Sequence, residues 1–364
     1  MQTGGFVSPL GFSFAGNSAK ELKREREGAV VSIKRYVMDD KIVKAAVKAG
    51  VTLKELTTVV DTSFDTDTGI WKIKCLDSEN KELAPYKARM LISADGSGSG
   101  FARKKGYVKT EPDAVCSRSY VTGDFNFKWD GVIFYPKTLL PGYASILRHA
   151  NNELGFSVYI KPGNSNCKIE NLNEIHYRLL EEDPYISKSI GPKANPQVVI
   201  ERMKAASLRL GGLKSSETSY DDHFIIIGDA AGFIDPLSGE GIQYAMESAQ
   251  IGAKIVREGL KNKNLSASFL KQYQDIWYRG WGKEFYWSSK VSHLLFRFPI
   301  LLDAAAKLIE KRGAKFLCDW AEVMTGSQSK CWFLRPDILS LIIIEAIGIS
   351  FRKIFMPHTL PKPN

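Results

Sequence analysis

The sequence contains no Cys-x-x-Cys pair and no His-Glu-x-x-His helix, and its five histidines are scattered. Protein metal sites need such ligands grouped at short spacings, so a metal centre is not expected. The five cysteines, Cys75, Cys116, Cys167, Cys318 and Cys331, are odd in number and show no paired spacing. That pattern fits free thiols in a reducing compartment better than a disulfide framework. No Ser/His/Asp or Cys/His constellation stands out, which argues against nucleophilic hydrolysis. The first twenty residues lack the basic start and apolar core of a secretory leader. The longest apolar run, ILSLIIIEAIGI from Ile338 to Ile349, is too short to span a bilayer and is broken by Glu345. It reads as a core helix, with a helix lying on a membrane surface as the alternative. The expected location is therefore cytoplasmic or peripheral to a membrane, and not secreted.

Disorder and nucleic-acid binding are also poorly supported. Apolar residues make up 44% of the 364 and charged residues 25%, a globular balance with material for a sizeable core. The net charge of +10 favours anionic partners. No RNP-like motif, zinc-finger spacing or concentrated basic arm accompanies it, so the expected anions are a phosphorylated cofactor or an acidic membrane surface.

The chain begins with an irregular stretch to about residue 30, with a short strand expected over Val30–Ile33. A helix follows, capped by Asp39 or Asp40, with Ile42, Val43, Ala46 and Val47 on one face and Gly50 at its end. Strands are expected over Leu53–Thr62 and Ile70–Leu76, joined by the hairpin turn Asp65-Thr66-Asp67-Thr68-Gly69, and again over Arg89–Ala94. From Val115 to Ile160, short strand-like runs rich in aromatics predict an antiparallel sheet. A helix near Leu172–Glu181 and a return strand over Val198–Ser207 come next. Beyond Val256 the pattern is helical. The simplest organisation is an α/β domain interrupted by a β-rich insertion. Its parts are residues 1–112 and 208–260 for the α/β domain, 113–207 for the inserted antiparallel substrate-binding domain, and 261–364 for a helical tail.

The chemistry centres on HFIIIGDAAGFIDPLSGEGIQYAMES, from His223 to Ser248. A buried strand ending at the edge of a parallel sheet delivers its next residues to a ligand crevice. Gly228 permits the turn, and Asp229 is placed to accept hydrogen bonds from ligand hydroxyls. Gly239-Glu240-Gly241-Ile242 opens the next helix, whose free N–H groups favour a phosphate or an anionic ring. These features describe a ligand with hydroxyls, negative charge and a flat ring, though a plain strand–turn–helix packed through glycines would look similar.

This stretch resembles the second flavin-contacting motif of FAD-dependent oxidoreductases of the glutathione-reductase type, and within them the geranylgeranyl reductase family. The resemblance implies that Asp229 holds the ribityl hydroxyls of FAD. It also implies that Pro236 borders the isoalloxazine and that the backbone of Gly241 and Ile242 meets the ring's edge. Leu91 to Ser99, with Ala102-Arg103, resembles the family's Ala-Asp-Gly motif, in which Asp95 and Gly96 serve dinucleotide phosphates. Ile33-Lys34-Arg35, followed by Asp39, resembles the arginine that contacts FAD before the family's second large helix. The MTGSQSKCWFLRPD stretch, residues 324–337, is similar to the family's helical tail. The resemblance implies FAD as cofactor and NADPH or another reductant as electron donor. The implied reaction is hydride transfer to a carbon–carbon double bond of a polyisoprenoid. A flavin monooxygenase is the rival enzyme, and a flavin-free relic the non-enzymatic one.

Two departures qualify the resemblance. Family members begin with a strand and Gly-x-Gly-x-x-Gly that grip the ADP half of FAD, and nothing before Arg35 matches that unit. The expectations, in order, are an incomplete sequence, completion by another chain, or loss of tight flavin binding. In the substrate sheet, PGYASILR, residues 141–148, resembles the family's PGYxWxFP segment. Tyr143 is retained as a pocket residue, while Ser145, Leu147 and Arg148 replace Trp, Phe and Pro.

Overall fold

A computed structural model describes residues 3–17, 32–122, 129–151, 153–161, 171–190, 199–214 and 216–361. The largest element is a seven-stranded sheet. Its strands are β1 (Thr3–Val7), β2 (Ser13–Asn17), β7 (Ala114–Thr122), β8 (Gly131–Phe134), β9 (Gly142–Arg148), β10 (Glu153–Ile160) and β11 (Val199–Leu208), in the order β11-β7-β10-β9-β8-β1-β2. All neighbours are antiparallel except β1 and β8.

Strand period explains its two faces. Ala144, Ile146, Leu154, Phe156, Val158 and Ile160 are buried on one side. They pack with Leu172, Ile175, Leu179 and Ile186 of two helices, α3 (Leu172–Glu182) and α4 (Pro184–Ile190). The other face carries the cross-strand sets Tyr143/Tyr159/Cys116, Ser145/Ser157/Arg118 and Leu147/Gly155/Tyr120.

β1 and β2 correct the expectation of an irregular start. TGGFV and SFAGN show no clean apolar alternation, and the pairing of β1 with β8 is a contact across more than a hundred residues. Phe6 and Val7 are buried there, and Phe6 stacks on Trp320 at 5.5 Å between ring centroids. Of the strand expected over Val30–Ile33, Val30 and Val31 lie outside the described residues, and Ser32 and Ile33 are not in a strand.

The parallel unit is small. β6 (Leu91–Ser93) pairs in parallel with β13 (Phe224–Ile226), and β12 (Tyr220–Asp221) adds antiparallel to β13. Phe224, Ile225 and Ile226 are buried, whereas Ile92 on β6 is 43% exposed. A separate three-stranded sheet holds β3 (Thr58–Asp65), β4 (Ile70–Leu76) and β5 (Tyr86–Ala88). Its hairpin turn is the expected one: the Asp65 carboxylate accepts from the N–H groups of Asp67 and Thr68, and Gly69 takes a positive φ of 66°.

Helix α1 (Arg35–Lys48) starts four residues before Asp39 and five before Asp40, the aspartates expected to cap it. Asp39 and Asp40 lie inside it and face Arg35 and Lys44 one turn away. At the other end, the Gly50 N–H donates to the Val47 carbonyl and the Val51 N–H to that of Ala46. This closes the helix through a left-handed glycine. None of its residues is buried, and Ile42, Val43 and Val47 are exposed.

A short helix α2 (Gly100–Lys104) follows β6. The rest is helical: α5 (Ile242–Lys261), α6 (Ala267–Trp277), α7 (Lys283–Arg297), α8 (Ile300–Arg312), α9 (Ala314–Thr325) and α10 (Pro336–Phe355). A five-residue π turn, Tyr278–Gly282, joins α6 to α7. No helix among the described residues is long and apolar enough to cross a membrane.

Candidate flavin site

β6 and β13 run side by side and end together, so the segments leaving them share one sheet edge. The Ile227 N–H still donates to the Ser93 carbonyl at 3.0 Å, which carries the register past the strands. Beyond it, Asp95-Gly96 leaves one strand and Gly228-Asp229 the other. This is the carboxyl end of the parallel pair, where open α/β sheets place their ligands.

Each turn is shaped by its own residues. Gly228 has φ 60°, and an added Cβ would stand 3.2 Å from the Cβ of Ala245 on α5. The turn Gly228–Ala231 is a single 3-10 turn closed by Gly232 at φ 72°. On the neighbouring segment, Gly96 also has positive φ, and the two Asp95 carboxylate oxygens accept from Ser93 Oγ and Ser99 Oγ, each at 2.5 Å.

Asp229 meets the mouth of α5. A Cβ built on Gly241 would lie 3.1 Å from Asp229 Oδ1 and 3.0 Å from Ile234 Cγ1. Only a glycine leaves the carboxylate open beside the helix start. No described residue donates a hydrogen bond to the Asp229 side chain. Burial raises its pKa, and the Arg35 charge partly offsets this. α5 starts at Ile242 with no side-chain cap, so its first N–H groups are free on the same side. Ile242 is itself 37% exposed.

The loop between them is fixed from below. Asp235, 1% exposed, accepts through Oδ1 from the N–H groups of Leu237 and Ser238, both at 2.9 Å, and from Ser288 Oγ at 2.7 Å. Its Oδ2 faces Lys330 Nζ at 3.5 Å, and Lys330 is 2% exposed. Pro236 is buried at the head of this loop. Gly239 has φ 71°, and a Cβ there would approach the Tyr143 hydroxyl to 3.1 Å. That hydroxyl donates to the Ser238 carbonyl, and the Tyr143 ring stacks on Tyr159 at 5.0 Å. The sheet face carrying Tyr143, Ser145 and Arg118 is thus joined to the loop.

The structure brings Gly228, Asp229, Gly239, Gly241, Ile242 and Tyr143 together, with Asp95 and Gly96 on the adjacent strand end. Arg35 stands at the exposed start of α1, paired with Asp39, near enough for its charge to act on Asp229.

Two buried cations went unnoticed at the sequence level. Arg209, 1% exposed, donates from Nη1 to the Ala230 carbonyl at 2.8 Å, and its own N–H donates to Ser97 Oγ at 3.0 Å. It therefore ties the two turns to each other. Lys330 supports Asp235 from a segment more than ninety residues away. Nothing in LRLGG marks Arg209, because a charged residue beside glycines normally signals a surface turn. Lys330 does fall within the tail stretch that resembles the family, which was its only signal. Among the described residues, no group of three or more potential metal ligands occurs.

No family model matches the chain. Its relatives nevertheless converge with the geometry. The chain is 27% identical over 297 residues to digeranylgeranylglycerophospholipid reductase 1 of Methanopyrus kandleri, covering 76% of this chain and 71% of that protein. The fold matches a geranylgeranyl bacteriochlorophyll reductase-like protein from Thermoplasma acidophilum with a TM-score of 0.69, at 17% identity, covering 85% of this chain and 75% of that one. With the carboxylate turn, the open helix start and the sheet above them, these place the chain among the FAD-dependent oxidoreductases of the geranylgeranyl reductase family, and it belongs to that family. Within reach of it by sequence is conditioned medium factor receptor 1 of Dictyostelium discoideum. That protein is 53% identical over 358 residues, which span 97% of this chain and 69% of the relative.

Proposed function

We propose that this chain reduces carbon–carbon double bonds of a polyisoprenoid lipid, with FAD held at the paired strand ends. The observation that carries the reading is the approach of Gly241 to Asp229, a carboxylate to which no described residue donates, kept open by a glycine at a helix mouth. In this reading Asp229 accepts from ribityl hydroxyls, each such bond contributing roughly 1.5–3 kcal/mol. Gly228 and Gly239 give the backbone close approach, and Pro236 limits the ring on one side. The N–H groups at Gly241 and Ile242 stabilise negative charge at its edge by roughly 0.3–1 kcal/mol. Arg35, Asp95 and Gly96 serve the phosphate side. Reduced flavin supplies hydride, and NADPH or another reductant replenishes it.

The protein's share is to exclude water and hold the alkene. Tyr143 forms the wall between loop and sheet. Ser145 and Leu147, with Ser157 and Gly155 opposite, leave more room on that face than larger side chains would. In this reading residues 32–112 and 208–260 serve the cofactor, 113–207 serve the substrate together with β1 and β2, which belong to the same sheet, and 261–364 back both. Such substrates reside in bilayers, and peripheral membrane contact belongs to the same reading.

The test is to purify the chain, measure visible flavin absorbance, and repeat with Asp229→Ala. Wild type should carry or take up flavin, and the variant should bind it at least ten-fold more weakly. Reduced holoenzyme should add two hydrogens per double bond to a geranylgeranylated glycerophospholipid, read by mass spectrometry. Oxygen incorporated into the product would favour the monooxygenase alternative, which the fold shared with flavin-dependent halogenases supports. Absence of flavin binding in wild type would favour a non-catalytic protein.

A further inference from the structure

A second hollow, of about 660 Å³, lies apart from the carboxylate turn, between the end of α7, the start of α8, the turn before β9 and the last part of α10. Leu140, Phe296, Phe298 and Ile300 give it apolar walls, and Lys137, His293, Arg297 and Lys353 stand around it. One acid lines it, Asp303, which is 2% exposed and already accepts from Ser8 Oγ at 2.6 Å and the Leu10 N–H at 2.8 Å. Among the described residues, none of Lys137, His293, Arg297 and Lys353 is in an ion pair. Ser292, fully buried, also lines the hollow, and its hydroxyl has no hydrogen-bond partner. Burial raises the Asp303 pKa, and the charges of Lys137 and Lys353, which share this one carboxylate, act to lower it. The basic groups thus outnumber the acid around the hollow and leave room for a second anion.

The hollow opens beside an apolar stripe. Ile343, Ile344, Ile347, Phe351, Ile354 and Phe355 of α10 are all exposed, at spacings of three and four that set them along one side of the helix. Lys353, next to Ile354, lines the hollow, and Phe298 at its wall is itself 51% exposed. The opposite side of α10 is buried through Ile338, Ile342, Ala346 and Ile349. The run therefore has one side in the core and the other exposed.

We propose that this hollow is the headgroup site for an anionic phospholipid of a bilayer. Its phosphate lies among Lys137, His293, Arg297 and Lys353, while the α10 stripe rests against the acyl region. Free phosphate would need neither the apolar walls nor the stripe. The inference rests on the membrane part of the proposed function and is independent of its flavin part.

The test is flotation of the full chain with phosphatidylglycerol/phosphatidylcholine vesicles, and with vesicles of phosphatidylcholine alone. Wild type should float only with the anionic ones. Lys137→Gln/Lys353→Gln should lower the partition constant roughly 30-fold at low salt, about five-fold per lysine. A Lys254→Gln/Lys263→Gln control, which removes equal charge at exposed positions on and just after α5, should lower it less than five-fold. Ile347→Ser/Phe351→Ser should also weaken flotation, and circular dichroism should show all variants folded. Equal losses in the two lysine pairs would overturn the site while leaving membrane contact standing. Absence of wild-type flotation would remove both. Inorganic phosphate binding as tightly as the vesicles, measured by calorimetry, would make this a free-anion site and end the lipid assignment.

Discussion

Replacing Lys330 with methionine tests the link between the helical tail and the flavin loop. Lys330 Nζ donates to the Val323 carbonyl and faces Asp235 Oδ2 at 3.5 Å, with both residues almost fully buried. At an effective dielectric constant of about 20, two unit charges at that separation attract by roughly 5 kcal/mol. Desolvation offsets much of this within the intact pair, so the pair adds little net stability. Removing one partner is different, because the other charge stays buried. Such losses run about 3–5 kcal/mol. Here Oδ1 keeps three donors, whereas Oδ2 accepts no hydrogen bond from a described residue even in the wild type and has the Lys330 charge at 3.5 Å as its partner. We therefore expect Lys330→Met to cost about 3 kcal/mol in urea denaturation, the lower end of that range. Asp235→Asn should also destabilise, by stranding the lysine. The double variant should cost less than the sum of the singles by more than about 1 kcal/mol, since the residues touch. A Lys330→Met loss below about 1 kcal/mol, or additive singles, would refute the claim that this pair anchors the loop.

Three further outcomes follow from the geometry. Gly241→Ala places a methyl 3.1 Å from Asp229 Oδ1 and 3.0 Å from the buried Ile234 Cγ1, while the backbone, at φ −139°, tolerates alanine, so flavin affinity should fall at least ten-fold with a loss of stability of about 1 kcal/mol. Gly142→Ala should destabilise by about 1–3 kcal/mol, because a Cβ there would stand 2.3 Å from the Tyr159 carbonyl oxygen, which is sheet backbone and cannot swing aside. His176 is fully buried between Ser117 Oγ and Ser119 Oγ, each at 2.8 Å, and burial holds its pKa down to about 4 against an ordinary 6.5. The unfolded chain then binds a proton that the folded one refuses between those values. Stability is complete above pH 6.5 and falls by up to about 3 kcal/mol as pH drops to 4. His176→Gln should remove that part of the pH slope in urea melts at pH 7 and pH 5.

What was legible in the chain was local. The hairpin at Asp65–Gly69, β13 with its glycine turn, and α5 each carry their signal within about twenty residues, and each formed where expected. β1 and β2 were not legible, because they are strands only by virtue of β8, to which β1 adds in parallel. α1 was read to start at an aspartate cap, yet it starts at Arg35 without a capping side chain. The aspartates instead serve exposed pairs one turn away, each worth only a few tenths of a kcal/mol. The site shows the same division. Asp229 and Gly241 stand out because they fall in the stretch that resembles the family's flavin motif; the residues alone fit a plain strand–turn–helix as well. Arg209 and Lys330 do not, because a buried cation is recognised only through the carbonyl or carboxylate that receives it, and neither partner is near in sequence.

The two buried cations explain how short elements hold a ligand turn in register. β6 and β13 offer three paired residues each, too few to fix the strand ends against thermal motion by ladder bonds alone. Arg209 clamps the turn after β13 to Ser97 after β6, and Lys330 with Asp235 fixes the following loop to the tail. The tail is therefore more than cover. Its contact with Asp235 places Pro236 and, through Ser238, meets Tyr143 on the substrate sheet. The tail thus touches the loop through this carboxylate, besides the bonds of Tyr273 to the Ile226 carbonyl and of Trp277 to Ser219 Oγ. If lipid occupies the hollow bounded by α7 and α10, it presses on the same α7 that supplies Ser288 to Asp235. Membrane docking and cofactor geometry then share a mechanical path through Ser288, and a flavin absorbance change on adding anionic vesicles, lost in Ser288→Ala but retained in Lys254→Gln, is the outcome that path requires.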